Sequence, residues 1–169
     1  VGNVGSAEGG GVYNHDTFTM NGGAIKGNIS SYKGGGVGVG VTGIFTMTGG
    51  YISDNSATGD GGGVFTDTAT FTMTGGSITG NRAYRCGGVY LGATAFTMEG
   101  GSIVGNKASS HGGGVYNDGT FTMKGGSIEG NTASSYGGGV YNDTYGTFTM
   151  EGGSIVGNTA TLNGGGVYI

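Results

Sequence analysis

The tripeptide Phe-Thr-Met recurs six times along the 169-residue chain, and its spacing is the strongest constraint on the fold. Successive motifs lie 27, 26, 25, 25 and 27 residues apart. Gly-Gly-Val recurs seven times in the same rhythm, and an isoleucine followed by an asparagine lies between the two motifs. Periods of about 20 to 50 residues are typical of solenoids, propellers and arrays. The chain is therefore expected to consist of one structural unit repeated about six times.

The steps within each repeat differ in how much their length varies. From Phe to Ile is always 7 residues, from Ile to Asn always 3, and from Asn to the next Val 9 except for one step of 8. Only the step from Val to Phe varies more, from 6 to 8 residues. Near-constant lengths indicate coils stacked directly on each other, with one turn free to change its length.

Three short strands per repeat are predicted, around Val-Tyr, Phe-Thr-Met and Ser-Ile, separated by Gly, Asn and Asp turns and without a helical apolar pattern. Their connections are too short for a helix, and a propeller blade needs about 40 residues. We therefore predict an all-β fold, a right-handed parallel β-helix (β-solenoid) of about six coils. Residues 1–169 are expected to form a single segment, uncapped at both ends, as in a slice of a longer rod or a fibre subunit.

Alternation along the strands assigns directions to the side chains. Residues two apart share a face, so Phe121 and Met123 are expected to point inward and Thr122 outward. The repeated asparagine is predicted to form a corner ladder of stacked amides. Small alanines two residues further on are expected to let the chain close onto the stack.

Composition excludes several classes of function. The chain has 46 glycines, no proline and a net charge of -4, and its six basic residues are scattered, which disfavours nucleic-acid binding. There is no apolar run of about 18 residues, so direct membrane insertion is not expected. The single cysteine, Cys86, stands where other repeats have the first glycine of Gly-Gly-Gly-Val, and we interpret it as a local substitution.

Threonines in the middle of the Phe-Thr-Met motif form the first candidate binding surface. This threonine column consists of Thr19, Thr46, Thr72, Thr97, Thr122 and Thr149. Threonine suits exposed strands, which explains the column without a ligand. A flat threonine array on a rigid solenoid also resembles the ice-binding face of threonine-rich antifreeze proteins. The outward residues two positions before and two positions after each of these threonines form the neighbouring columns. Those columns are interrupted by Ile44, Lys124 and two glutamates.

The residues that follow the valine of Gly-Gly-Val form a second candidate surface, which we expect to be exposed. Its members are Tyr13, Phe65, Tyr90, Tyr116, Tyr141 and Tyr168, with Gly38 interrupting the column. Exposed tyrosines could hold sugar rings or a second rod, because they combine flat apolar area with a hydroxyl. They could equally shield the strand edges of their own coil.

Carboxylates offer little support for catalysis. Asp118 and Asp143 occupy equivalent turn positions in adjacent repeats, and paired carboxylates can act in acid/base chemistry or bind Ca²⁺. No arginine or histidine recurs beside them, and Asp is a common turn residue. We predict no enzyme and no cofactor, and keep these two residues only as weak metal candidates. Arg82, Tyr84 and Arg85 form an irregular loop in the shortened step, interpreted as tolerated variation or a contact point.

The segments GGGVYN, TFTM, GGSI and GN resemble repeats of bacterial surface proteins of the right-handed β-helix type, including chlamydial polymorphic membrane proteins with their GGAI and FxxN motifs. Residues 18–21 and 22–25 carry both motifs literally. The resemblance implies an exported, extracellular or cell-surface structural protein: a stalk, an adhesin module or a self-stacking fibre subunit. Expected partners are further copies, end to end or side by side, or a host or glycan ligand. An ice-binding protein is the main alternative, and a carbohydrate-active enzyme the third.

Overall fold

Parallel β-strands, each paired with the equivalent strand of the neighbouring turn, make up the computed structural model of the chain. The structure describes residues 2–169, and these residues form strands and turns but no helix. They wind into a β-solenoid of about six turns with four parallel sheets running along its length. The predicted all-β solenoid is thereby confirmed, whereas its right-handed sense stays a prediction. Since these residues contain no helix, none of them forms a helix able to span a membrane.

Four sheets are distinguished by the motif that each repeats. The VY sheet consists of Val12–Asn14, Val37–Val39, Val64–Thr66, Val89–Leu91, Val115–Asn117, Val140–Asn142 and Val167–Tyr168. The FTM sheet consists of Thr17–Met20, Ile44–Met47, Thr70–Met73, Ala95–Met98, Thr120–Met123 and Thr147–Met150. The SI sheet consists of Ala24–Lys26, Tyr51–Ser53, Ser77–Thr79, Ser102–Val104, Ser127–Glu129 and Ser154–Val156. The corner sheet consists of Val4–Gly5, Ile29–Ser30, Ser56–Ala57, Arg82–Ala83, Lys107–Ala108, Thr132–Ala133 and Thr159–Ala160.

The corner sheet is a fourth strand per turn where the sequence predicted three. Its strands are only two residues long, so they are too short to show the alternation by which a strand is recognised. Their second residue faces inward and is small, as in the buried Ala83 and Ala108. Their burial supports the predicted role of the repeated alanines in closing the turn.

Identical side chains stack on each other inside the rod. Phe71 pairs with Phe45 on one side and with Phe96 on the other, and their ring centroids lie 4.7 and 4.5 Å away. This matches the spacing of about 4.8 Å between paired strands. The phenylalanine ladder thus follows from the period, and Val, Met and Ile form parallel ladders in the same core. Burying each such side chain contributes about 1.5–3 kcal/mol.

The asparagine ladder is also confirmed, and every polar atom of its interior amides is paired. Asn106 donates from Nδ2 to Oδ1 of Asn131 at 3.0 Å and to the carbonyl of Ile78 at 2.9 Å. Its own Oδ1 accepts from the backbone N–H and the Nδ2 of Asn81, at 2.9 and 3.0 Å. Because an unpaired buried amide is costly, this saturation explains why asparagine recurs at a fully buried position. The members are Asn3, Asn28, Asn55, Asn81, Asn106, Asn131 and Asn158.

Cys86 occupies a glycine position of the repeat, as the sequence predicted. Its φ is 58°, in the left-handed region where the equivalent Gly61 and Gly112 have 65° and 66°. The thiol is fully buried, and this burial raises the pKa of Cys86 well above its usual value. Since the thiolate is the reactive form, the structure agrees with a packed substitution at this position.

Candidate functional site

The threonine column lies in strict register on the outer face of the FTM sheet. Thr72 pairs with Thr46 and Thr97, and the same register continues through Thr122 to Thr149. The phenylalanine and methionine on either side of each inner threonine are buried, so the outward direction is confirmed. Neighbouring hydroxyls along the column are about 4.8 Å apart because of the strand spacing. The column can present a regular hydroxyl array, whereas its ligand stays a prediction.

The second predicted surface is not exposed along most of its length. Phe65, Tyr90 and Tyr116 are only 4%, 8% and 5% exposed, whereas Tyr13 is 46% exposed and Tyr141 half-buried. The prediction of an exposed aromatic column is therefore wrong for its centre. The cause is the chain before Gly-Gly-Val, from which Lys33 lies over the ring of Phe65 and Arg85 over the rings of Tyr90 and Tyr116.

These aromatic residues form a tyrosine ladder on the outside of the core. Ring centroids are 5.4 Å apart from Phe65 to Tyr90, 4.8 Å from Tyr90 to Tyr116 and 4.9 Å from Tyr116 to Tyr141. Burial raises the pKa of Tyr90 to about 12, against the opposing influence of the Arg85 charge. The phenol is therefore neutral under ordinary conditions, and the ladder acts as a second apolar cluster beside the main core.

A column of charged and polar residues covers this ladder. The cover column contains the residue before each left-handed corner: Glu8, Lys33, Asp60, Arg85, His111, Tyr136 and Asn163. Asp60 is buried, and its Oδ1 accepts from Arg85 Nε at 2.8 Å while its Oδ2 accepts from Arg85 Nη2 at 3.0 Å. Lys33 Nζ lies 3.9 Å from the same Oδ2. Lys33 Nζ is also 4.6 Å from the ring centroid of Phe65. One carboxylate thus holds two cations against the aromatic stack.

Sequence reasoning missed the cover column, although a signal was present. Arg85 was interpreted as part of an irregular loop, but it forms a bidentate ion pair with Asp60 across adjacent turns. Reading the residue before the left-handed corner in successive repeats gives Glu, Lys, Asp and Arg, an alternation of charge. Opposite charges on neighbouring turns attract each other, so this alternation of charge would have predicted the ion pairs of the cover column.

Asp118 and Asp143 follow the paired residues Asn117 and Asn142, so they occupy equivalent positions in adjacent turns, as predicted. Asp143 accepts a hydrogen bond from the Tyr116 hydroxyl and another from the Thr144 backbone N–H at 2.7 Å. Oδ1 of Asp118 is buried and has no hydrogen-bond partner among residues 2–169. Burial, and secondarily the charge of Asp143, raises the pKa of Asp118. The two carboxylates therefore have different environments: Asp143 is hydrogen-bonded to the Tyr116 hydroxyl, whereas Asp118 Oδ1 is unpaired within residues 2–169.

His111 belongs to the cover column and lies apart from any metal-binding constellation. It stacks between Tyr136 and Tyr141, with ring centroids 5.4 and 4.9 Å away. Burial, and then the Arg85 charge, lowers the pKa of His111. Within the described part of the chain, no cluster of three or more His, Cys, Asp or Glu side chains is arranged to bind a metal ion.

Comparison with known proteins finds a likeness in one repeat. Residues 49–67 match the Chlamydia polymorphic membrane protein repeat. This segment contains the SI strand Tyr51–Ser53, the corner strand Ser56–Ala57 and the VY strand Val64–Thr66. The matched segment covers well under half of the chain, so the likeness concerns a single turn. No curated protein and no solved structure matches the chain.

Proposed function

We propose that this chain is a rod-like structural module of a bacterial surface protein, displayed outside the cell. The observation that carries the proposal is the match of residues 49–67 to a repeat of a bacterial surface-protein family, in a chain whose other turns repeat the same architecture. A stalk or adhesin role is the form that we favour. The absence of enzymatic activity and the self-association of the rod stay predictions.

Stacking in register supports a mechanical role. Each turn pairs through four sheets with the turns on both sides, and three of the inner columns are phenylalanine, methionine and asparagine ladders. A solenoid gains length with each added turn while every turn keeps the same contacts. Such a rod places distant parts of a surface protein at a fixed separation, as a stalk requires.

Accessibility on intact cells tests the proposal. An antibody raised against the exposed turn that contains Tyr145, which is 85% exposed, should label intact source bacteria. A cytoplasmic marker should be labelled only after permeabilisation, which controls for lysed cells. Labelling of the chain only after permeabilisation would overturn the surface location.

Ice binding is a second candidate, supported by the strict register of the threonine column. The columns beside it contain Ile44, Lys124 and Glu99, so the regular hydroxyl lattice is only one column wide. Thermal hysteresis should be measured for the native chain and for the double variant Thr72→Tyr, Thr97→Tyr. Hysteresis that disappears in the variant would favour ice binding, and its absence from the native chain would exclude this function.

A further inference from the structure

Arg82 and Lys107 stand out among the basic residues because they are adjacent and unneutralised. They pair in register in the corner sheet, and both side chains are exposed. Within residues 2–169, neither forms an ion pair, whereas Lys33 and Arg85 share Asp60 and Lys26 pairs with Asp54 at 3.4 Å. Like charges directly opposite each other on paired strands destabilise a sheet. In a chain of net charge -4, two stacked free cations form a local anion-attracting site.

The surroundings of this pair are those of a shallow binding surface. Tyr84 is 58% exposed, and it lies on the same outward face as Arg82 because the intervening Ala83 is buried. Together with hydroxyls from the neighbouring turns, these residues form the cationic patch: Ser56, Thr58, Arg82, Tyr84, Lys107 and Ser109. All of these except Lys107 line an open depression of about 450 Å³, and Lys107 adjoins it through its register with Arg82.

We propose that the cationic patch binds an acidic oligosaccharide, with a carboxylate on the sugar lying against Arg82 and Lys107. A guanidinium can hold a carboxylate through two parallel hydrogen bonds, and the neighbouring ammonium adds a second positive charge. The exposed ring of Tyr84 offers a flat apolar surface to one face of a sugar ring. The hydroxyls of Ser56, Thr58 and Ser109 can exchange hydrogen bonds with sugar hydroxyls.

Other anionic ligands fit the patch less well. Nucleic acids carry a dense row of phosphates and need several cations to neutralise them, whereas the patch offers two on a chain of net negative charge. A protein partner is usually anchored by a side chain in a fully desolvated pocket. This depression is open and lined by hydroxyls, two alanines, one arginine and one aromatic ring. A sparsely charged glycan matches both the charge and the openness of the patch.

The proposal is tested by calorimetric titration of the whole chain at low ionic strength. Trigalacturonic acid is the probe, and a neutral galactose trisaccharide is the control ligand. We expect the acidic trisaccharide to bind about tenfold or more tightly than the neutral one, because only the acidic sugar can form charge-assisted hydrogen bonds with the two cations. The double variant Arg82→Gln, Lys107→Gln should lose that preference. Lys124→Gln is the matched control, because Lys124 is an exposed lysine on another face, between Glu99 and Glu151 in adjacent turns.

The variant Lys107→Glu separates binding from folding. It places opposite charges in register, so it should raise the melting temperature while it weakens binding of the acidic trisaccharide about tenfold or more. The proposal is overturned if no binding is detected, if Lys124→Gln weakens binding as much as the double variant does, or if a glutamate tripeptide binds as tightly as the acidic sugar. These results concern purified protein, so a failure would leave the proposed surface location intact.

Discussion

The phenylalanine ladder and the tyrosine ladder run along the same rod, one inside the coils and one outside the VY sheet. The inner ladder has the same residue in all six turns, with ring centroids from 4.5 to 5.2 Å apart. The outer ladder mixes tyrosine and phenylalanine, is interrupted by Gly38, and is covered by charged groups. A closed coil fixes the volume available to an inner ring, whereas the cover column adapts from turn to turn. The inner ladder is therefore stabilised by packing, and the outer ladder also by local electrostatics.

Removing an inner ring should give the largest loss of stability. Phe96→Ala leaves a cavity between Phe71 and Phe121, and we expect the free energy of unfolding to fall by about 3–5 kcal/mol. Denaturant titration followed by circular dichroism measures the change. Thr97→Ala, the outward neighbour in the same strand, is the matched control and should change stability by about 1 kcal/mol or less. Comparable losses from the two variants would contradict the assignment of inner and outer faces.

Neutralising the buried carboxylate of the cover column should have the next largest effect. Asp60→Asn leaves Arg85 and Lys33 without their shared anion, and we expect a loss of about 2 kcal/mol, below that of a fully buried pair because both cations are partly exposed. Denaturant titration at low and high salt measures it. Asp54→Asn removes a carboxylate from an exposed pair with Lys26 and serves as the control. Equal effects of the two substitutions would refute the role of Asp60 in holding the cover column.

Removing a single hydroxyl from the tyrosine ladder should lower the free energy of unfolding by less than Asp60→Asn does. Tyr116→Phe keeps the stacked ring but removes the hydrogen bond to Asp143, so we expect a loss of about 1 kcal/mol. Phe65 shows that the ladder accepts a phenyl ring at an equivalent position. Melting temperature at neutral pH is the measurement, and a stability equal to that of the native chain would mean that the hydrogen bond contributes nothing net.

The smallest expected effect is a pH dependence that comes from His111 of the cover column. The folded pKa of His111 lies below the unfolded value of about 6.5, so the unfolded chain takes up a proton first as the pH falls. The contribution of His111 to stability is therefore present above that pH and is lost as the pH falls through the folded pKa. Unfolding measured from pH 7.5 to 5.5 should show a steeper decline for the native chain than for His111→Gln. Identical slopes would exclude His111 as the source.

Much of the fold could be predicted because identical residues at a fixed spacing must meet when coils stack. The Phe, Met and Asn ladders, the outward threonines and the glycine position of Cys86 all follow from the period and from strand alternation. The two-residue corner strands did not, because two residues carry no recognisable alternation. The equivalent positions of Asp118 and Asp143 in adjacent turns were predicted, but the burial of Asp118 Oδ1 was not, because strand alternation does not specify what covers a turn.

The sequence by itself determined the coil, its register and the direction of the side chains within each strand, because these depend only on period and alternation. Only the tertiary structure decided what covers the outside of the coil. Tyr90 and Tyr116 are buried because the loop before Val89 places the Arg85 guanidinium over both rings, where it also pairs with Asp60 of the adjacent turn. Arg82 and Lys107 remain exposed because the two-residue corner strand directs both outward. Burial of outward residues depends on the path of loops in space, which strand alternation does not specify.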